Sequence, residues 1–525
     1  MERIKPYFPI FTWAPRYQPK EYLSRDIIAG LTVALTVVPQ GLAYASLAKL
    51  PTEYGLYTSY VSAIVYTFMG SSKDLAVGPQ SLTSMLTAQY CMRPETWIPM
   101  AGVTSESDPR LANLLCFCSG AIILLLGIFD LGAVVNYISN PVLVGFISAA
   151  SIIIPFSLLE RVFGLSGLPG PFYQKMVAMV MRLGESKYYD AIIGLSTLAT
   201  LLALKHLRIH FADPKEGDSA LVRILRKVLW IVATLRNAFV LAITSFILYS
   251  SGNNCPFADE PIDLNITDPN AKDCITPTTI SAITLPPIAF PDTNIELENG
   301  ESAGIVDMLT TLGSGIIIVP FVAILQSIGI GKSLAERGNY QVNARNDFLA
   351  IGTGGVMSSL VSSMPVSGCF SRSSLNFESN AATQAGNLIT AVVVMISAVL
   401  LAEYFRWIPT AALAAVIMAA VGSMFDFDAI KQVWTLSKIE SIPMIATFAL
   451  SCVDFRIGIV VGIFLHIAML LYSQNSPQIT VVSGANKSFT IKIAHGIAFP
   501  VCETLLDRVN LLLKKRRKST QSRST

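Results

Sequence analysis

Apolar runs recur along the whole chain: Ile27–Leu47, Leu111–Phe129, Ile192–Leu204, Val228–Tyr249, Ile305–Leu325, Leu388–Leu401, Ile408–Val421 and Ile457–Leu471. A helix of about twenty apolar residues crosses a hydrocarbon core, and several runs have that length. The shorter ones must be tilted, broken or shielded by neighbours. The pattern predicts roughly seven helical segments between Asp26 and Tyr249 and roughly seven more between Ile305 and Tyr472, on either side of a polar stretch. Each set is interrupted after about two helices. The first break is VGPQSLTS, Val77–Ser84; the second is MPVSGCFSRSSLNFES, Met364–Ser379. Irregular backbone at membrane depth survives only where protein buries it or where it lines a polar cavity. Paired breaks in two halves of a chain are the sequence mark of a transporter's binding site. An odd number of crossings per half turns the halves upside down relative to each other. The expected architecture is therefore an all-α polytopic membrane protein of about fourteen segments in a seven-plus-seven inverted repeat. Its divisions are an N-terminus (1–25), a first repeat (26–250), an outer loop (251–303) and a second repeat (304–474).

Composition agrees on the medium. The 525 residues are 52% hydrophobic and 14% charged, with mean hydropathy +0.55, where an ordinary soluble chain carries about 25% charged residues. Basic groups cluster at three places: Arg3, Lys5, Arg16, Lys20 and Arg25; Lys205, Arg208, Arg223, Arg226 and Lys227; and Lys514 to Lys518. The positive-inside rule puts all three in the cytoplasm, with both termini, and so places 251–303 outside. That loop holds the sequon Asn265-Ile-Thr267, a glycosylation acceptor only on an outer face. It also holds Cys255 and Cys274, a possible disulfide in an oxidising compartment. Met1–Arg25 has no cleavable signal pattern, so the first span is expected to stay in the protein. The other six cysteines read as small packing residues.

Several chemistries are excluded. A net charge of +3 does not suggest a nucleic-acid partner. His206 and His210 stand four apart but lack the glutamate of a metalloprotease helix. Gly331-Lys332-Ser333 has Gln326 where a phosphate-binding loop needs its first glycine, and no strand before it. No metal, cofactor or enzymatic activity is implied. The breaks instead suggest an anion site. A helix that begins at mid-membrane points unpaired N–H groups and a positive dipole end into the cavity. Pro79 suits the first turn of one such helix. Ser371, Ser373 and Ser374 can cap the other, and Arg372 adds a permanent charge. A carboxylate such as Glu378 is the alternative partner for Arg372.

The lettering of these motifs is specific. Asp26-Ile-Ile-Ala-Gly-Leu-Thr, Val38-Pro-Gln-Gly-Leu-Ala-Tyr44, Tyr54-Gly-Leu-Tyr-Thr-Ser59, Gly70-Ser-Ser-Lys73, Gly78-Pro79 and Ser367-Gly-Cys-Phe-Ser-Arg-Ser373 stand in order, and together the chain resembles the sulfate permease (SulP) anion transporters from about Phe11 to Phe499. The resemblance implies a mobile core domain working against a gate domain, usually in a homodimer. It implies that Gln40 and Tyr44 of the first helix, Gln80 and Ser81 at the third helix and Phe370, Ser371 and Arg372 at the tenth face the substrate. Sulfate, chloride, bicarbonate and oxalate all suit one arginine and two helix ends. An anion channel, or a form that no longer transports, would keep the same residues. Similar transporters commonly place Glu where this chain has Gln326, which cannot titrate. The resemblance also implies a cytoplasmic STAS domain. Ile479–Val482 and Phe489–Ile493 look like its first strands and Val501–Leu513 like its first helix, a partial domain over 478–513. A basic tail, 514–525, could touch anionic membrane lipid. The plasma membrane is the expected location, with lysosomal or other endomembranes open.

Overall fold

The computed structural model describes residues 7–92, 107–130, 140–165, 172–211, 220–251, 275–277, 286, 288–296, 302–422, 425–436, 438–439, 441–474, 479–483 and 489–493. Among the described residues, fourteen of the helices correspond in order to the expected segments, with shorter helices between them. The first seven are α1 (Pro19–Leu47), α2 (Glu53–Met69), α3 (Ser81–Tyr90), α4 (Pro109–Ile128), α5 (Asn140–Val162), α6 (Tyr188–Phe211) and α7 (Arg236–Ser251). The second seven are α8 (Gly315–Arg337), α9 (Ala344–Ser359), α10 (Phe370–Glu378), α11 (Ala385–Leu400), α12 (Thr410–Val421), α13 (Ser441–Ser451) and α14 (Phe455–Gln474). Helices α1, α4, α5, α6 and α8 are each long and apolar enough to cross a membrane. α5, as apolar as α4, is not among the apolar runs above.

Two predicted runs are divided. Val228–Tyr249 is divided between a helix, Ala220–Thr234, and α7, bent by 72° at the break. Ile305–Leu325 breaks at Gly313, whose φ of 48° suits a residue without Cβ; a short helix, Ile305–Leu312, precedes it and α8 follows.

The repeats interlock. α4 packs on α9, α11 lies against α1 and α2, and α9 also meets α2, so the first four helices of each repeat build one body. α5 packs on α12 and α13, α6 on α12, and α13 on α14, which builds the second. Small residues permit the closest approaches, as membrane interfaces require. Gly41 of α1 and Gly55 of α2 touch backbone to backbone, and a methyl at Gly55 would overlap the Gly41 carbonyl oxygen.

At the two breaks the chain is extended. β1 (Val77–Gly78) and β2 (Ser367–Gly368) pair antiparallel, Val77 opposite Gly368 and Gly78 opposite Ser367. α3 and α10 begin just beyond them. With 10 and 9 residues they span about 15 Å each, half of a hydrocarbon core of about 30 Å. A further antiparallel pair, β3 (Ile479–Ser483) with β4 (Phe489–Ile493), matches the strands expected after the last span. The expected helix 501–513 and the basic tail lie outside the described residues, as do Asn265, Cys255 and Cys274.

Candidate functional site

The crossing of β1 and β2 is fixed by hydrogen bonds between parts of the chain far apart in sequence. Cys369 N donates to Ala76 O at 3.1 Å, continuing the ladder. Ala76 N donates to Ser373 Oγ at 2.9 Å, Gly368 N to Ser327 Oγ at 2.7 Å, and Asn387 Nδ2 to Leu75 O at 3.1 Å. Backbone groups that no water can reach are thus paired, as a low-dielectric interior demands. Pro79 stands one residue before the N-cap of α3 and not in its first turn, contrary to the sequence reading. Its role there is to hold Gly78 extended, since a residue before proline avoids the helical region.

The two helix starts differ. Gln80 caps α3 with its own side chain, Oε1 accepting from Leu82 N at 2.9 Å. α10 begins after Cys369 with no side-chain cap. The expected serine caps are absent for a definite reason: Ser373 is spent on Ala76, Ser374 donates to Glu378 Oε1 at 3.2 Å, and Ser371 turns toward α1. No side chain covers the first turn of α10, so its donors and dipole end are left for a ligand.

Arg372 sits on that turn, 1% exposed. Its Nε, Nη1 and Nη2 have no hydrogen-bond partner among the described residues. Glu378 is occupied elsewhere, in an ion pair with Arg208, which sets aside the alternative pairing. The guanidinium lies against the backbone of Gly78; a methyl there would stand 3.2 Å from Nη2. A buried cation without a counter-charge costs several kcal/mol in such surroundings, and an anion at this point would remove that cost.

The other predicted residues are placed around it in two sets. Gln40 and Tyr44, one turn apart on α1, are both buried. Gln40 Nε2 donates to Ser371 Oγ at 3.5 Å, and Ser371 Oγ lies 3.3 Å from Cys369 Sγ. Tyr44 is buried one turn further along α1. α1, β2 and the head of α10 therefore share one polar chain. Gln80 and Ser81 are buried at the head of α3, across the strand pair. Phe370 and Ser371 are exposed, so the site is open on one side. Gln326 lies on α8 beside Ser327, which holds Gly368. Its Oε1 is buried and makes no hydrogen bond to any described residue, Arg372 included. Cys369, read from sequence as a packing residue, belongs to the polar chain. Its position before the first turn of a broken helix is the signal that could have found it.

Residues 23–447 match the model of the Sulfate permease family. The chain is 33% identical over 504 residues to the sodium-independent sulfate anion transporter of Bos taurus, covering 96% of this chain and 78% of that protein. It is 30% identical over 482 residues to sulfate transporter 4.1, chloroplastic, of Arabidopsis thaliana, covering 91% of this chain and 63% of that one, under two thirds of its length. Among solved structures, SLC26A9 superposes with a TM-score of 0.77 at 19% identity over 93% of this chain and 72% of that one. The transmembrane domain of the cyanobacterium bicarbonate transporter BicA does so at 0.63 and 15%, over 85% of this chain and 97% of that one.

Proposed function

Because this chain belongs to the sulfate permease family of anion transporters, we propose that it carries sulfate across its membrane by anion exchange, through a site between the heads of α3 and α10. It is a multi-pass membrane transporter of small inorganic anions, not an enzyme. The observation that carries the reading is Arg372, buried at an uncapped helix start with no hydrogen-bond partner among the described residues. Sulfate would meet two kinds of donor there, the guanidinium and the backbone N–H groups of α10, with the Gln80-capped head of α3 across the crossing. Gln40 and Tyr44 would close the α1 side, with Phe370 at the open mouth. The names of the bovine and plant relatives favour sulfate. Chloride, bicarbonate and oxalate are the counter-anions that the same donors would accept.

Exchange is favoured over proton coupling by Gln326, which carries no titratable proton. A lone dianion entering a negative-inside compartment opposes about 4.6 kcal/mol per 100 mV, more than three decades in concentration ratio. A counter-anion leaving removes part of that work. Alternating access would come from the body built of α1–α4 and α8–α11 sliding as an elevator against α5–α7 and α12–α14. A homodimer with both termini in the cytoplasm, in the plasma membrane or an endomembrane, completes the proposal.

The test is labelled-sulfate flux in proteoliposomes. Arg372→Ala should abolish uptake while the purified variant keeps its helical spectrum and monodisperse elution. Full uptake by Arg372→Ala, or unitary currents in place of saturable exchange, would overturn the proposal.

A further inference from the structure

A cavity of about 660 Å³ opens at the end of the first body where α1, α9 and α11 begin and α2 ends. Sites that hold small organic molecules have this size, about 300–1,000 Å³. The short helix Ile10–Trp13 brings Trp13 to its wall. Ser71 beyond α2, Gln341 and Asn343 ahead of α9, Asn346 in the first turn of α9 and Gln384 ahead of α11 supply most of the rest. No residue that surrounds Arg372 lines it.

Two of these amides are built into the protein and left unspent. Asn346 is 8% exposed, and neither atom of its side-chain amide bonds a described residue. Gln384 is 6% exposed; its Nε2 donates to Gly70 O at 3.2 Å, and its Oε1 accepts from no described residue. The wall around them is fixed. Ser71 N donates to Asp347 Oδ1 at 2.9 Å, Asn343 N to Ser71 Oγ at 2.9 Å, and Asn343 Oδ1 accepts from Arg345 N at 3.0 Å. Buried amides carry a cost until they are paired, so a guest here has to donate and accept at once. None of the described residues that line the cavity is charged, so nothing there recognises a phosphate or a carboxylate. A side-chain amide pairs at two points with the adjacent donor and acceptor on the edge of a nucleobase, and an aromatic ring offers a face on which the base stacks.

We propose that this cavity binds an uncharged nucleoside, its base paired with Asn346 and Gln384 and stacked on Trp13. The site stands apart from the anion path and does not depend on what crosses there.

The test is direct binding of tritiated adenosine, guanosine, cytidine and uridine to the purified full chain by scintillation proximity. At least one nucleoside should bind saturably, and excess sulfate should not displace it. Asn346→Leu keeps the size of the side chain and removes both hydrogen-bonding atoms; it should weaken that binding about ten-fold. A helical spectrum and a monodisperse elution like those of wild type show that the variant is folded. Trp13→Ala should weaken binding several-fold, and it decides the matter if Asn346→Leu fails to fold. No saturable binding of any of the four to wild type overturns the proposal, and so does binding that neither variant alters. Displacement by sulfate would put the nucleoside at the Arg372 site, and a 5′-monophosphate that binds far more tightly than its nucleoside would make this a nucleotide site. Either result overturns the assignment.

Discussion

An empty site that contains Arg372 should be slow to cross. The guanidinium is 1% exposed and has no bonded partner among the described residues. With sulfate bound the site carries a net −1, with chloride it is neutral, and with nothing it is a bare +1. The bare form must pass through the driest point of the cycle with one uncompensated charge and no ligand acceptors for five N–H donors. The effective penalty for such a charge is several kcal/mol. Taking about 3 kcal/mol as the share felt only in passage, the empty return is about 150-fold slower than the loaded one. The assay is efflux of labelled sulfate from proteoliposomes, with potassium and valinomycin holding the voltage at zero. Efflux into sulfate or chloride should exceed efflux into an impermeant organic anion by about two decades. Equal efflux into both media would show that the empty site crosses as freely as the loaded one. The argument from the buried arginine would then be wrong.

Two substitutions probe other links. Gln326→Glu restores a titratable group on α8, and an inward proton gradient should then raise sulfate uptake severalfold while wild type stays indifferent; a wild type that responds as strongly would remove the basis for exchange without protons. Gly55→Val forces a branched side chain into the Gly41 carbonyl, where overpacking costs about 1–3 kcal/mol or more. The melting temperature followed by fluorescence-detected gel filtration should fall by several degrees, and an unchanged value would mean that α1 and α2 do not pack this closely.

What the sequence disclosed followed from the medium. Breaks at Gly78-Pro79 and at Pro365 to Arg372 stand out because a bilayer tolerates irregular backbone in so few places. The charge of Arg372 stands out for the same reason. The roles of the serines were not legible. Ser373 looks like a helix cap, yet it accepts from Ala76, 297 residues away, and no local pattern encodes such a partner. Cys369 was hidden likewise, since Ser371 links it to Gln40 of α1, 331 residues from that serine. The break between Ala220–Thr234 and α7 falls inside the run Val228–Tyr249, where Thr234, Arg236 and Asn237 are the polar signal beside it.

Whether Arg372 can balance a moving anion depends on whether it travels with it, and the polar ties between helices answer this for the proposed elevator. Asp26 of α1 accepts from Ala382 N at 2.8 Å and Thr383 Oγ1 at 2.7 Å, ahead of α11. Lys73 Nζ donates to Ala381 O at 3.0 Å. Asp347 of α9 accepts from Tyr66 of α2 at 2.8 Å and from Ser71 N at 2.9 Å. Each tie joins the first repeat to the second, and each lies within the body that holds β1, β2 and α10. The other body is fastened separately: Thr276 donates to Asp190 of α6 at 2.6 Å and accepts from Thr410 N of α12 at 3.0 Å. Polar contacts that cross between the bodies, such as Arg161 with Ser46 and Arg208 with Glu378, sit at helix ends, where they can part without exposing a core. Buried charge-assisted bonds are costly to break and rim pairs are not. In the proposed elevator the sliding would fall between the bodies, and Arg372 would move with its site. The loaded step would then carry −1 in place of −2, and its electrical work would fall from about 4.6 to about 2.3 kcal/mol per 100 mV. A lysine or arginine fixed on the other body could not make that reduction, however close it stood to the anion at one end of the stroke.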